Sequence, residues 1–146
     1  MRISYIEDVD KWRSTFTFFI PIKVRFSETD LFGHMNNTAS FIYFEQARIE
    51  YLKSLGLFNS SGEIEAIPVV SDLQCNYLKQ VYFDQTLHVY VKAQHVGNTS
   101  ADIHYMVLDD KQEIALTGRG RLVYIHVQTG KPVPLEESMK EALLHQ

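Results

Sequence analysis

Residues 24–52 read VRFSETDLFGHMNNTASFIYFEQARIEYL, and two hydrophobic periods meet inside this stretch. Upstream, Phe16, Phe18, Ile20, Ile22, Val24 and Phe26 alternate with Thr15, Thr17, Pro21, Lys23 and Arg25, with Phe19 the exception. A period of two predicts a strand with one inward face. Pro21 has no N–H to give a ladder, so the strand is expected at a sheet edge or at a bulge. A turn or loop follows over Ser27 to Asn37, and a helix is predicted from about Thr38 to Leu55. Asn36, Asn37 and Thr38 are cap candidates, and Gly56 is the expected stop. At about 100° per residue, Phe41, Phe44, Tyr51, Leu52 and Leu55 share one side, flanked by Ile42, Ile49 and Ala47. Gln46, Glu50 and Lys53 lie opposite, while Glu45 and Arg48 fall within the apolar sector.

Beyond the helix the pattern is strand after strand, at about 66–79, 85–96, 99–109 and 113–127. Leu87, Val89, Val91 and Ala93 alternate with Thr86, His88, Tyr90 and Lys92, and Ile103, Tyr105 and Val107 with Asp102, His104 and Met106. Gly97-Asn98 and Asp109-Asp110 mark tight connections. A short helix is expected from Leu135, after Pro132 and Pro134. One amphipathic helix followed by an antiparallel meander is an α+β architecture. The 146 residues are read as a single domain, 1–146, with no repeat or low-complexity linker.

Composition narrows the function. The net charge is −4, which argues against a non-specific grip on nucleic acid. The first twenty residues interleave Glu7, Asp8, Asp10 and Lys11, unlike a secretory signal. The apolar stretch Phe16 to Ile22 is too short to span a bilayer, so stable membrane insertion is not expected and the cytoplasm is the expected location. Cys75 is the one cysteine and reads as a small apolar residue. The six His residues show neither H-E-x-x-H nor H-x-x-E-H spacing, so no metal is expected. No Gly-rich phosphate loop or G-x-S-x-G elbow is present, and no cofactor is expected.

The segment from Val24 to Leu52 resembles the 4-hydroxybenzoyl-CoA thioesterase branch of the hot-dog superfamily. The resemblance rests on Thr29-Asp30, Gly33-His34, Asn36-Asn37, Glu45, Ala47-Arg48 and the exit Leu55-Gly56-Leu57. Downstream it continues through Val96-Gly97-Asn98-Thr99-Ser100 and Thr129-Gly130-Lys131-Pro132-Val133-Pro134, covering about residues 14 to 135. It departs at Lys79 to Asp84, where members often carry a Pro and an Asp-Gly-like turn, and at His126, where an Asp is common. The resemblance implies a hot-dog fold, an antiparallel sheet of about five strands wrapped around one long central helix. It also implies hydrolysis of an acyl-CoA thioester to free acid and CoA, with Asp30 as the catalytic carboxylate. A homodimer or homotetramer with the active site between subunits is implied as well. A lone unit of this kind would leave a strand edge exposed.

Asp30 stands where an alternating strand gives way to a Gly-containing turn before a helix start. The unpaired N–H groups of a helix's first turn favour a developing oxyanion, while a carboxylate nearby activates water or attacks directly. The other reading of Asp30 is a turn residue. The resemblance places the oxyanion donor on the backbone N–H seven residues later, at Asn37, whose side chain can equally cap the helix. Gly33 is expected to supply a backbone shape closed to side chains. His34 is a candidate for orienting the carboxylate or binding substrate. Glu45 is a further catalytic candidate, with a structural ion pair to Arg48 at i+3 as the plainer reading. For the CoA phosphates the candidates are Lys92, Arg119 and Arg121, the two arginines lying on one face of a strand. Asn98, Thr99 and Ser100 are candidates for the nucleotide, each with a solvated surface group as the alternative. Two other readings share the fold. Asp30 and His34 have the spacing of hot-dog hydratases and dehydratases, but without the Asn-Pro usual between them. A non-catalytic acyl-CoA sensor would append a DNA-binding domain, for which the residues before the first strand are too few and too acidic.

Overall fold

The computed structural model describes residues 2–57 and 65–145. Its elements are α1 (Val9–Ser14), β1 (Phe18–Lys23), α2 (Ala39–Ser54), β2 (Ala66–Tyr77), β3 (Thr86–Val96), β4 (Ser100–Leu108), β5 (Ile114–His126) and α3 (Glu137–Leu144). The five strands form one antiparallel sheet in the order β1-β3-β4-β5-β2. Pro21 lies on β1 and faces His88 in the register, so the residue without an N–H sits on an edge strand, as its chemistry demands. The other edge is β2.

The sheet wraps around α2. Tyr43, Phe44, Ala47, Tyr51 and Leu52 are buried against Leu87, Val89, Val91, Ile103, Tyr105, Val107 and Leu116. The Phe44 ring stacks on Tyr105 with centroids 4.5 Å apart. Behind them a Cβ on Gly118 would lie 2.5 Å from the Phe44 ring, so that position of β5 has no room for a side chain. At the far end of α2 the Gly56 N–H donates to Lys53 O and the Leu57 N–H to Leu52 O, with Gly56 at φ +72°. This is the Schellman stop that the exit Leu55-Gly56-Leu57 suggested.

The buried arc of α2 differs from the one drawn on apolar character. It runs through Ser40, Tyr43, Phe44, Ala47, Arg48, Tyr51 and Leu52, whereas Phe41 and Ile42 are exposed at 38% and 53%. Polar atoms enter the core because they find partners there. Arg48 donates to the Tyr105 hydroxyl at 3.0 Å, and among the described residues the expected ion pair with Glu45 does not form: Arg48 is turned into the core while Glu45 is exposed.

Residues 3–14, which the sequence reading left without an element, cover the outer face of the sheet together with Phe16, which it placed in the first strand and which lies ahead of β1. Ile3, Ile6, Trp12 and Phe16 cluster with Met106 and Leu108. The Trp12 indole N–H donates to His104 Nδ1 at 2.9 Å. Lys92 is buried beneath them, bonded to the Thr15 hydroxyl and 4.7 Å from the centre of the Phe16 ring. Burial lowers the Lys92 ammonium pKa to about 8. A lysine offered as a phosphate contact is therefore enclosed, and that expectation is corrected.

Candidate active site

A 3₁₀ turn at Phe26–Glu28 links β1 to the stretch that carries Asp30. Glu28 is buried in that turn. Its carboxylate accepts from the Arg25 N–H at 2.9 Å, the Arg25 guanidinium at 3.1 Å and the Tyr43 hydroxyl at 2.9 Å. Burial alone would raise its pKa, but the Arg25 and Tyr43 donors outweigh that and hold it below the ordinary carboxylate value. Tyr43 lies on α2, so this bond ties the turn to the central helix. Sequence reasoning missed Glu28; the signal available was Arg25 three residues before it, at pairing distance.

Asp30 is an Asx-turn residue as well as a candidate catalyst. Its Oδ1 accepts the Phe32 N–H at 2.9 Å and the His34 N–H at 3.1 Å. Its own N–H donates to His34 O at 2.8 Å, and Gly33 takes φ +79°, the left-handed backbone expected of it. One carboxylate oxygen thus fixes the turn, and Oδ2 has no partner among the described residues. The turn is docked on the segment before β3 through the Met35 N–H to Val81 O bond at 2.6 Å. In that segment Asp84 adopts φ +71°, the left-handed shape that a Gly supplies in an Asp-Gly turn.

Asp30, His34 and Asn37 line one cleft of about 520 Å³, together with Tyr77, Lys79 and Gln80. Asn37 precedes α2. Its flanking groups are all engaged: the Asn36 N–H donates to Glu28 O at 2.7 Å and the Thr38 N–H to Asn36 Oδ1 at 3.1 Å. Of the three cap candidates, the side chain that organises the helix start is therefore Asn36. The Asn37 N–H has no acceptor among the described residues. A free carboxylate oxygen and a free amide hydrogen thus share the cleft, one suited to activating water and the other to receiving a developing negative charge. The His34 ring meets Tyr82 edge-on at 5.0 Å, and its contact with Asp30 runs through the backbone, not the imidazole. Lys79 is committed to Asp109 at 2.6 Å and Glu113 at 2.5 Å, which raise its pKa.

The remaining candidates lie elsewhere in this chain. Glu45 and Arg48 line a separate groove beside β2. Arg119 and Arg121 do share a face of β5, where both approach Asp102, Arg119 at 3.0 Å and Arg121 at 3.8 Å; the Arg121 side chain is half exposed. Asn98, Thr99 and Ser100 form the β3–β4 connection, and Asn98 O and Thr99 O hold the Leu135 and Tyr124 N–H groups. The cleft residue Leu116 pairs with Tyr77 and with Val107, near the other end of β4. At about 3.4 Å per residue the length of β4 puts roughly 25 Å between the cleft and Asn98–Ser100, and β5 puts about 10 Å and about 17 Å between Leu116 and the two arginines. His126, in place of the common Asp, accepts from the Gln128 and Thr129 N–H groups through Nδ1, which is the work a carboxylate does in such a turn. Among the described residues no group of three or more His, Cys, Asp or Glu could hold a metal ion, and no helix is long and apolar enough to cross a membrane.

Residues 24–143 match the profile of the Thioesterase-like superfamily. The chain is 42% identical over 135 residues to the Bacillus subtilis protein YsmA, covering 92% of this chain and 90% of that one. Among solved structures it is similar to a DHNA-CoA thioesterase from Staphylococcus aureus, at 28% identity and a TM-score of 0.74, covering 80% and 79% of the two chains. It is also similar to a thioesterase from Thermus thermophilus solved with coenzyme A and zinc, at 28% identity and a TM-score of 0.72, covering 86% and 90%. A curled antiparallel sheet around one helix, joined to a sequence match over most of its length, makes this chain a hot-dog protein of the thioesterase-like superfamily.

Proposed function

We propose that the protein hydrolyses an acyl-CoA thioester, with Asp30 as general base or nucleophile and the Asn37 N–H as oxyanion donor. The observation that carries this reading is the meeting, in one cleft, of a carboxylate oxygen and an amide that have no partner among the described residues. A thioester carbonyl seated on that amide would present its carbon to water activated by Asp30. The hydratase reading finds no support in the His34 imidazole, which faces Tyr82.

The CoA contacts proposed at Arg119, Arg121 and Asn98–Ser100 require a second copy. Strand β2 is an edge with exposed Ile67, Val70 and Tyr77. Antiparallel pairing of β2 with its symmetry mate would reverse the second sheet and bring its Asn98 and Arg121 end towards the Asp30 end of the first. A homodimer with two composite sites follows from that arrangement.

The test is thiol release from a panel of acyl-CoAs of increasing chain length plus one aromatic thioester, with wild type beside Asp30→Asn. Turnover by the wild type and a loss of about 100-fold or more in Asp30→Asn is the expected result. Equal activity in the two proteins would end the assignment.

A further inference from the structure

Asn37 belongs to the proposed oxyanion site, yet its own carbonyl cannot join the helix ladder, because α2 is capped one residue later, at Thr38. Two hydroxyls meet that carbonyl. Ser40 Oγ–H donates to Asn37 O at 2.9 Å, and the Tyr77 phenol donates to the same oxygen. The two hydroxyl oxygens are themselves 2.9 Å apart. Ser40 is fully buried on α2, whereas Tyr77 reaches across from the last residue of β2 and forms part of the cleft wall.

We infer that Tyr77, supported by Ser40, is a positioning residue: by holding the Asn37 carbonyl it fixes the backbone torsions at Asn37, keeps the N–H of that residue turned to the substrate and neutralises the carbonyl. The inference rests on the thioesterase reading above and adds to it a residue from a different strand. The other polar backbone groups around Asn37 are spoken for among the described residues. Glu28 O, on the turn after β1, takes the Asn36 N–H; the Asn36 carbonyl, which shares a peptide with the Asn37 N–H, takes the Ala39 N–H; the Asn36 side chain takes the Thr38 N–H; and β2 with α2 takes the Asn37 carbonyl. What remains is a single donor, the Asn37 N–H.

The electrostatic logic is direct. A bare carbonyl oxygen at the cleft wall would place partial negative charge near the oxygen that gains charge in the transition state. A phenol bonded to that carbonyl offsets the repulsion. Burial raises the Tyr77 pKa, so the phenol stays protonated and remains a donor across the neutral range. Because the contact lies on the protein and not on the substrate, its loss should alter transition-state stabilisation and leave ground-state binding nearly intact.

The experiment compares wild type, Tyr77→Phe, Ser40→Ala, the double variant and Asp30→Asn on the best thioester of the panel. Each protein is also titrated with two CoA conjugates of the same acyl length. One is a thioether without a carbonyl, and the other is a trifluoromethyl ketone that can form an oxyanion-like adduct. Tyr77→Phe is expected to lower kcat about 10- to 100-fold with KM changed less than about three-fold. Its affinity for the ketone should fall in step with kcat/KM, while thioether affinity stays at the wild-type value. The double variant should lose less than the product of the two single losses, because both hydroxyls serve one acceptor. Ser40→Ala keeps the test open if the phenol cannot be removed without unfolding, with the same split expected at smaller size. Tyr77→Phe within two-fold of wild-type kcat, or equal losses on ketone and thioether, would overturn the positioning role while a dead Asp30→Asn left the thioesterase reading standing. An Asp30→Asn as active as wild type would instead sink the reading on which the inference depends.

Discussion

His104 should make the protein lose stability on mild acidification. It is 2% exposed on the outer face of β4, accepting the Trp12 indole N–H at Nδ1, with Lys92 and Arg119 as its cross-strand neighbours. Burial first, then the Lys92 and Arg119 charges, lower its pKa from 6.5 to about 4, against a smaller upward pull from Asp102. Between those two values the unfolded chain holds a proton that the folded chain refuses. Stability therefore falls as pH drops from about 6.5 to about 4, and the term is constant outside that window. At 1.36 kcal/mol per pH unit the full loss is about 3 kcal/mol. The variant His104→Gln keeps an acceptor for Trp12 and cannot titrate. Urea unfolding at fixed protein concentration, followed by the emission of Trp12, the single tryptophan, measures both proteins at pH 7.5, 6, 5 and 4. The carboxylates titrate in both, so the informative quantity is the difference between the two pH profiles. That difference should shift by about 3 kcal/mol in favour of the variant from pH 7.5 to 4. Profiles parallel to within about 1 kcal/mol would refute the assignment of a buried, neutral imidazole.

Two further outcomes follow from contacts near the cleft. Glu28→Ala should cost about 2–3 kcal/mol by unpairing Tyr43 and Arg25, and should also lower kcat, since Glu28 joins the Asp30 turn to α2; a melting curve and a thiol-release assay read the two effects separately. The lowered pKa of Glu28 means that its contribution is present above the ordinary value of 4.5 and is lost as pH falls through the lower folded value. Gly118→Ala should destabilise by about 1–3 kcal/mol, because the new methyl would meet the Phe44 ring at 2.5 Å; an unchanged urea midpoint would show that the ring can move aside.

Elements with a strong period were legible in the residues. The alternation before Val24, the four later strands and the helix from about Thr38 all occur, with bounds displaced by up to about three residues where hydrogen bonding stops before the pattern does. The helix face was read less well, because hydrophobicity ranks Phe41 and Ile42 above Ser40 and Arg48. Burial here is decided by partners: Arg48 has the Tyr105 hydroxyl, and Ser40 has Asn37 O. For the site, Asp30, Gly33, His34 and Asn37 form a local cluster in sequence, and a local motif could reveal them. Tyr77 and Ser40 meet across 37 residues, and no periodicity in either segment announces that contact. The enclosure of Lys92 likewise depends on residues 3–16, where the sparse apolar side chains before Phe16 fit no period but match a patch on the back of the sheet.

That patch has a practical side. A handle fused ahead of Ile3 would hang from cladding bonded to β4, and trimming the chain back to Phe18 would strip Met106 and Leu108 of their roof. A shortened protein of that kind would expose an oily spot beside a lysine no longer shielded from reagents. Its loss of solubility or yield would report on a missing wall of the domain and say nothing about the chemistry at the opposite face.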